Sequence, residues 1–187
     1  MLTFVATISV CILSAVQGFP SGPLPTACSD LFPTGHAVNA QTGLSGFAIT
    51  TNQATYTPGG TVTVNLLGLG NAFDGVMVQA RRATTNCSSG INSVPVGTFT
   101  IPAGDTFLQL MSCGGVVSNT VAQKTKLVVT SKTVTWTAPT ISVGQIYFRG
   151  TFIKNTKTFW TNVASSIVKP LGDATAALPV CAVRTVL

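Results

Sequence analysis

Apolar and polar residues alternate with a period of two in several short segments, and that periodicity constrains the fold more than any other feature of the sequence. "TVTVNLL" at 61–67 places Val62, Val64 and Leu66 on one face, and "GVMVQAR" at 75–81 repeats the pattern with Val76, Val78 and Ala80. Successive side chains of an extended strand point to opposite sides, so such segments build a sheet with one apolar face. "GFAITT" at 46–51, "GTFTI" at 97–101, "FLQLMSC" at 107–113, "TKLVVTS" at 125–131 and "KTVTWTAP" at 132–139 read the same way. The stretch "SVGQIYFRGTFIKNTKTFWTNV" at 142–163 supplies a last pair, turning at Asn155. Short strands at regular spacing, separated by turn signals, predict an all-β chain folded as an antiparallel two-sheet sandwich of eight or nine strands. Composition agrees, because the helix-favouring residues are thin: there are 10 Lys and Arg, and the 4 acidic residues are all Asp. A chain of 187 residues is long enough to bury a core as one domain. Trp136 is expected to plug its centre, where a large aromatic buries about 200 Å².

The first eighteen residues, "MLTFVATISVCILSAVQG", carry no charged side chain and end in small residues. They read as a secretory signal peptide cleaved after Gly18, which makes the product extracellular. No later run is apolar enough to span a bilayer, so no membrane insertion is expected. Residues 19–169 form the domain, opening with a Pro- and Gly-rich lead-in to about residue 45, and residues 170–187 form a C-terminal extension. Cys11 leaves with the signal peptide. Cys28, Cys87, Cys113 and Cys181 remain, and in an oxidising compartment four thiols imply two disulfides with three pairings open. With no CxxC and one histidine, His36, neither a metal site nor a cofactor is expected.

The chemistry-bearing residues are few. One histidine and four scattered aspartates, at 30, 74, 105 and 173, make no acid–base or nucleophilic pair, so the chain does not read as an enzyme. His36 in "PTGH" reads as a structural hydrogen-bonding residue. The formal charge of +6 favours anionic partners, although a modest net charge also serves solubility alone. Nucleic acid is a poor candidate for an exported chain with so few basic groups. Arg81, in the Arg81-Arg82 pair, is a candidate anchor for sulfate, phosphate or carboxylate, set against a structural role over the sandwich edge or paired with Asp74. Lys124, Lys126 and Lys132 flank "LVVTS" and face outward if Leu127 and Val129 face in, as a positive stripe or as charges that discourage edge pairing. In "QIYFRGTFI", Ile146, Phe148, Gly150 and Phe152 form the core face. Tyr147, Arg149, Thr151 and Ile153 form a half-exposed one, followed by the Lys154 and Lys157 turn. Tyr147, Arg149, Lys154 and Lys157 are therefore candidate ligand contacts on what is first a structural hairpin. Asn86-Cys87-Ser88 is a glycosylation sequon with an unfavourable middle residue.

The ordered series "ACSDLFPTGH", "YTPGGTVTVNLLG", "FDGVMVQARR", "VGTFT", "LQLMSCGG", "VTWTAPTISVGQIYFRGTFI" and "FWTNV" resembles the Reeler domain, from about Cys28 to about Ile167. Phe32 stands where a Met often precedes the Pro, and it is expected to fill the same apolar pocket. The resemblance implies an immunoglobulin-like sandwich and a Cys28–Cys113 disulfide. Cys87 and Cys181 are then left either to bond to each other or, through Cys181, to link two chains. By analogy with small secreted defence relatives, it also implies recognition of microbial surface glycans or lipopolysaccharide. The rival expectation is a structural place in an extracellular or biomineral matrix, and a third is a signalling ligand. Ferric-chelate-reductase-like relatives carry the same module, with redox chemistry in segments not found in this sequence.

Overall fold

The computed structural model describes residues 21–88, 93–182 and 186, so the expected signal peptide lies outside the described residues. The strands are β1 Phe47–Thr51, β2 Thr55–Tyr56, β3 Thr61–Gly68, β4 Gly75–Arg82, β5 Thr98–Thr100 and β6 Leu108–Cys113. They continue as β7 Val116–Gln123, β8 Ser131–Thr137, β9 Ile146–Asn155, β10 Thr158–Ala164 and β11 Lys169–Pro170. A four-stranded sheet in the order β1-β3-β8-β5 faces a five-stranded sheet in the order β10-β9-β4-β7-β6, and every pair within them is antiparallel. A short parallel pairing of β11 with β2 ties the chain's end to the first sheet's connection. This is the immunoglobulin-like β-sandwich that the alternation and the resemblance predict.

The alternating residues meet between the sheets. Val62, Val64 and Leu66 from β3, Val76, Val78 and Ala80 from β4, and Phe148 and Phe152 from β9 are completely buried. Trp136 sits at the centre, edge-on to Tyr56 at 5.5 Å and to Phe148 at 5.6 Å. Its indole N–H, which burial would otherwise strand, donates to the Val96 carbonyl at 2.9 Å. The adjoining Gly97 has φ +68°, and a Cβ there would lie 2.3 Å from Trp136 Nε1, so only glycine lets the chain pass the ring.

One predicted strand is displaced. Of residues 125–131 only Ser131 belongs to a strand, as the first residue of β8; Val129 pairs in an isolated bridge to Phe73, and Leu127 does not face in but lies exposed beside Val128. The strand is instead β7, where Asn119, Thr120, Ala122 and Gln123 are buried and blur the period-two pattern. Its polar side chains are satisfied locally. Asn119 bonds both backbone groups of Cys113 at 2.8 and 2.7 Å, Thr120 accepts from Gln79 at 2.8 Å, and Gln123 accepts from the Val76 amide at 3.0 Å.

The five-stranded sheet is buried on both faces, as the unbroken burial along β4 and β9 shows. Two non-periodic segments cover its outer side. The lead-in, with 3₁₀ turns at Pro25–Cys28 and Thr34–His36, packs Ala27 and Leu31 on Met77 and Ala122, and Phe32 on Phe159 and Ile153. Phe32 fills the apolar pocket expected of it. The C-terminal segment crosses the other half, with Gln145 donating to Thr175 Oγ1 and the Ala176 carbonyl at 2.8 and 2.9 Å. Each strap is tied by a disulfide: Cys28–Cys113 and Cys87–Cys181, with Cα–Cα distances of 5.5 and 5.4 Å. Cys181 is thus closed within its own chain and is not available to link a second one. The covalent dimer expected as one alternative is excluded for the bonded form, and the matrix reading loses that support.

Candidate functional site

The outer face of β4 and β9 carries three of the expected ligand contacts, and none of them is on the surface. Arg81 and Tyr147 are fully buried and Arg149 is 1% exposed. The alternation places these side chains correctly on the face away from the core, but the straps lie over that face. Arg81 Nη2 donates to the carbonyls of Cys28 at 2.8 Å and Ser29 at 3.2 Å and to Gln79 Oε1, with no pairing to Asp74. Tyr147 Oη and Arg149 Nη1 both donate to the Cys181 carbonyl, at 3.3 and 3.1 Å. Burial, and then the neighbouring Arg149 guanidinium, pushes Arg81 down to about 9, which leaves it charged at neutral pH. Burial likewise holds Arg149 below the ordinary arginine range. The two arginines therefore clamp the straps from below, and in this structure the anion anchor expected at Arg81 and the ligand contacts expected at Tyr147 and Arg149 are buried in structural bonds.

The accessible cations lie elsewhere, at the end of the sandwich where β3 and β9 finish and β4 and β8 begin. Four segments meet there. The Leu69 amide bonds the Gly46 carbonyl at 2.8 Å, Gly68 bonds Thr130 at 2.8 Å, Phe73 and Val129 exchange bonds at 2.9 and 3.0 Å, and Asp74 bonds Ile153 at 2.9 Å. Five of the six lysines occupy this end: Lys124, Lys126, Lys132, Lys154 and Lys157. Lys126, Lys154 and Lys157 are exposed. Lys154 is steadied by Asn71 Oδ1 at 3.1 Å, which leaves its charge uncompensated. Lys132 is not part of a free stripe, because it pairs with Asp105 at 2.7 Å and lies over the Phe107 ring at 5.6 Å. Burial would raise Asp105, but the Lys132 ammonium and the Leu108 and Phe107 amides outweigh it and hold its carboxyl below the usual carboxylate range. Asp74 is displaced the other way, raised by burial against the opposing pull of Lys126.

His36 is buried against Phe159, and its Nδ1 bonds the Thr156 carbonyl at 2.7 Å, so it props the β9–β10 hairpin. Among the described residues no group of three His, Cys, Asp or Glu could hold a metal ion. A cleft of about 30 Å³ under the lead-in, lined by Leu24, Phe32, Met77 and Ile153, has room only for one or two waters. Asn86 is exposed beside the Cys87–Cys181 bond, its Oδ1 accepting from the Ser88 amide at 3.1 Å. Lys154 and Lys157 share one turn, three residues apart, whereas Lys126 is far from both in the sequence and joins them only in the fold.

These observations define an antiparallel two-sheet β-sandwich strapped by two disulfides, with five of its six lysines at one end. Residues 26–175 match the Reeler domain family, and the chain belongs to that family. It is 30% identical to a protein of Samia ricini provisionally named as a defense protein, Hdd11-like, over 91% of this chain and 98% of that one. A Bombyx mori protein, also provisionally named as a defense protein, is 31% identical over 88% of this chain and 93% of its own. A Danio rerio protein provisionally named ferric-chelate reductase 1 is 33% identical over 90% of this chain, which spans only 28% of that longer protein. The crystal structure of the human F-spondin reeler domain superposes with a TM-score of 0.56 at 20% identity, covering 71% of this chain and 94% of that one, and so supports the fold.

Proposed function

We propose that this chain is a secreted, non-enzymatic Reeler protein that recognises an anionic microbial surface, through its glycans or lipopolysaccharide, in extracellular fluid. The observation that carries the reading is the segregation of charge: five of six lysines stand at one end, where the described acids are the half-buried Asp74 and the already paired Asp105. A cationic surface of that kind raises the local concentration of anionic partners and speeds encounter with them. The relatives that match over nearly their whole length carry defense-protein names, which supports the same direction. The disulfides suit an oxidising, extracellular setting. Non-enzymatic action is supported by a histidine committed to a backbone carbonyl and by arginines committed to the straps.

Incubation with insoluble bacterial envelopes tests the proposal. The protein is expected to sediment with them at physiological salt, and Lys154→Gln with Lys157→Gln is expected to weaken retention without altering the fold. Failure of the correctly folded protein to be retained would overturn it.

A further inference from the structure

The lysine-rich end is not only charged. Its loops also hold Leu44, Leu69, Leu127 and Val128 outward, at relative exposures of 101%, 60%, 43% and 74%. Single exposed aliphatics are ordinary on any surface. Here they come from three separate loops that converge. Leu69 bonds Gly46, two residues from Leu44, and Gly68 bonds Thr130, two residues from Val128. Lys154 reaches Asn71 in the loop that carries Leu69, and Lys126 precedes Leu127 directly. Exposed aliphatics at the opposite end, such as Ile141 and Val117, have no comparable set of lysines around them.

From this juxtaposition we infer that the end formed by loops 42–46, 69–74, 124–130 and 154–157 docks on an anionic lipid surface. Lys126, Lys154 and Lys157 contact headgroup phosphates, and Leu44, Leu69 and Val128 enter the interfacial layer. Two forces add here. Basic side chains near an anionic bilayer are attracted to it, and aliphatic tips gain by leaving water for the acyl boundary. A hydrated polysaccharide would use the first and leave the tips in water, so the lipid is the partner that uses every exposed group. Docking is peripheral, and no described helix is long and apolar enough to cross a membrane. The inference rests on the anionic-surface reading above and narrows it to the lipid component.

Co-sedimentation of the full chain with vesicles decides the matter. Binding is expected to phosphatidylglycerol–phosphatidylcholine vesicles and not to phosphatidylcholine alone, and it weakens with added salt. Lys154→Gln with Lys157→Gln should lower the affinity roughly 25-fold. The triple change Leu44→Ser, Leu69→Ser and Val128→Ser should lower it about tenfold or more, while Ile141→Ser leaves it unchanged. All these side chains are exposed, so an unchanged near-ultraviolet circular dichroism spectrum confirms an intact fold. A Leu44→Trp variant should shift its emission to the blue on anionic vesicles and be quenched by acyl-brominated lipid. Absence of vesicle binding, or binding insensitive to the aliphatic changes, would overturn the inference. Retention on bacterial envelopes or free polysaccharide without vesicle binding would overturn this inference alone and leave the broader reading standing.

Discussion

Arg149 shows how far a residue's environment can depart from its local pattern. It lies on the face of β9 opposite the core, where a half-exposed position is the natural expectation, yet it is 1% exposed. Its Nη1 donates to Cys181, while Nε and Nη2 find no hydrogen-bond partner among the described residues. A buried guanidinium with unsatisfied donors is expensive, and replacing such a group with an apolar side chain of similar size is often neutral or stabilising. The Cys181 carbonyl would keep its bond from Tyr147. Arg149→Met is therefore expected to fall between neutral and about 2 kcal/mol more stable in a urea melt. A loss of more than about 2 kcal/mol would mean that the buried nitrogens are satisfied after all.

Asp105 offers the opposite case. Its Oδ1 accepts from the Phe107 and Leu108 amides, both at 2.7 Å, and its Oδ2 pairs with Lys132. These partners hold its folded pKa below the unfolded value. The resulting stability is present above the unfolded value and is lost as the pH falls through the folded one. Asp105→Asn should thus be less stable than the parent by about 1 kcal/mol at neutral pH, with the gap closing below about pH 4. Denaturant midpoints collected across that range test this, and a gap of constant size would rule it out.

Among the elements, the straps matter most, because neither is a strand of the main sheets and both decide what the sheets expose. The lead-in is pinned through Cys28–Cys113 and the tail through Cys87–Cys181, over sequence separations of 85 and 94 residues. Closing loops of that length restricts the unfolded chain by about 4–5 kcal/mol on an entropic model. Changing Cys87 and Cys181 together to serine should lower the melting temperature markedly and loosen the tail. Tyr147 would then become reactive towards tetranitromethane, whereas in the parent it stays protected under the Cys181 carbonyl. Continued protection of Tyr147 would show that packing alone holds the tail down. The displaced strand has a local cause: β7 buries Asn119, Thr120 and Gln123 against Cys113, Gln79 and Val76, so its residues do not alternate between apolar and polar. In the better-alternating segment, residues 125–130 make the Phe73–Val129 bridge and the bond from the Gly68 amide to the Thr130 carbonyl, and β8 begins only at Ser131.

At the scale of the whole molecule, the exposed charge is unevenly distributed. Arg81 and Arg149 are spent under the straps and five of the six lysines gather at one end, so the exposed charge differs from the hairpin face that alternation singled out. Lys154 and Lys157 were legible as candidates because they sit together on a turn. Their association with Lys126, Leu44, Leu69 and Val128 was not, since those residues are scattered along the chain and only the antiparallel return of β3, β4, β8 and β9 assembles them.

Period-two alternation by itself determined the all-β class and, for β3, β4 and β9, which side chains enter the core, since strand geometry fixes those directions locally. The order of motifs pointed to the Cys28–Cys113 bond. Only the tertiary structure decided what lies over the outer face of the second sheet, because coverage there depends on two aperiodic segments brought back from the chain's extremities and bonded in place. The same holds for the partner of Cys181 and for the gathering of lysines and aliphatic tips at one end, both of which arise from contacts between residues far apart in sequence.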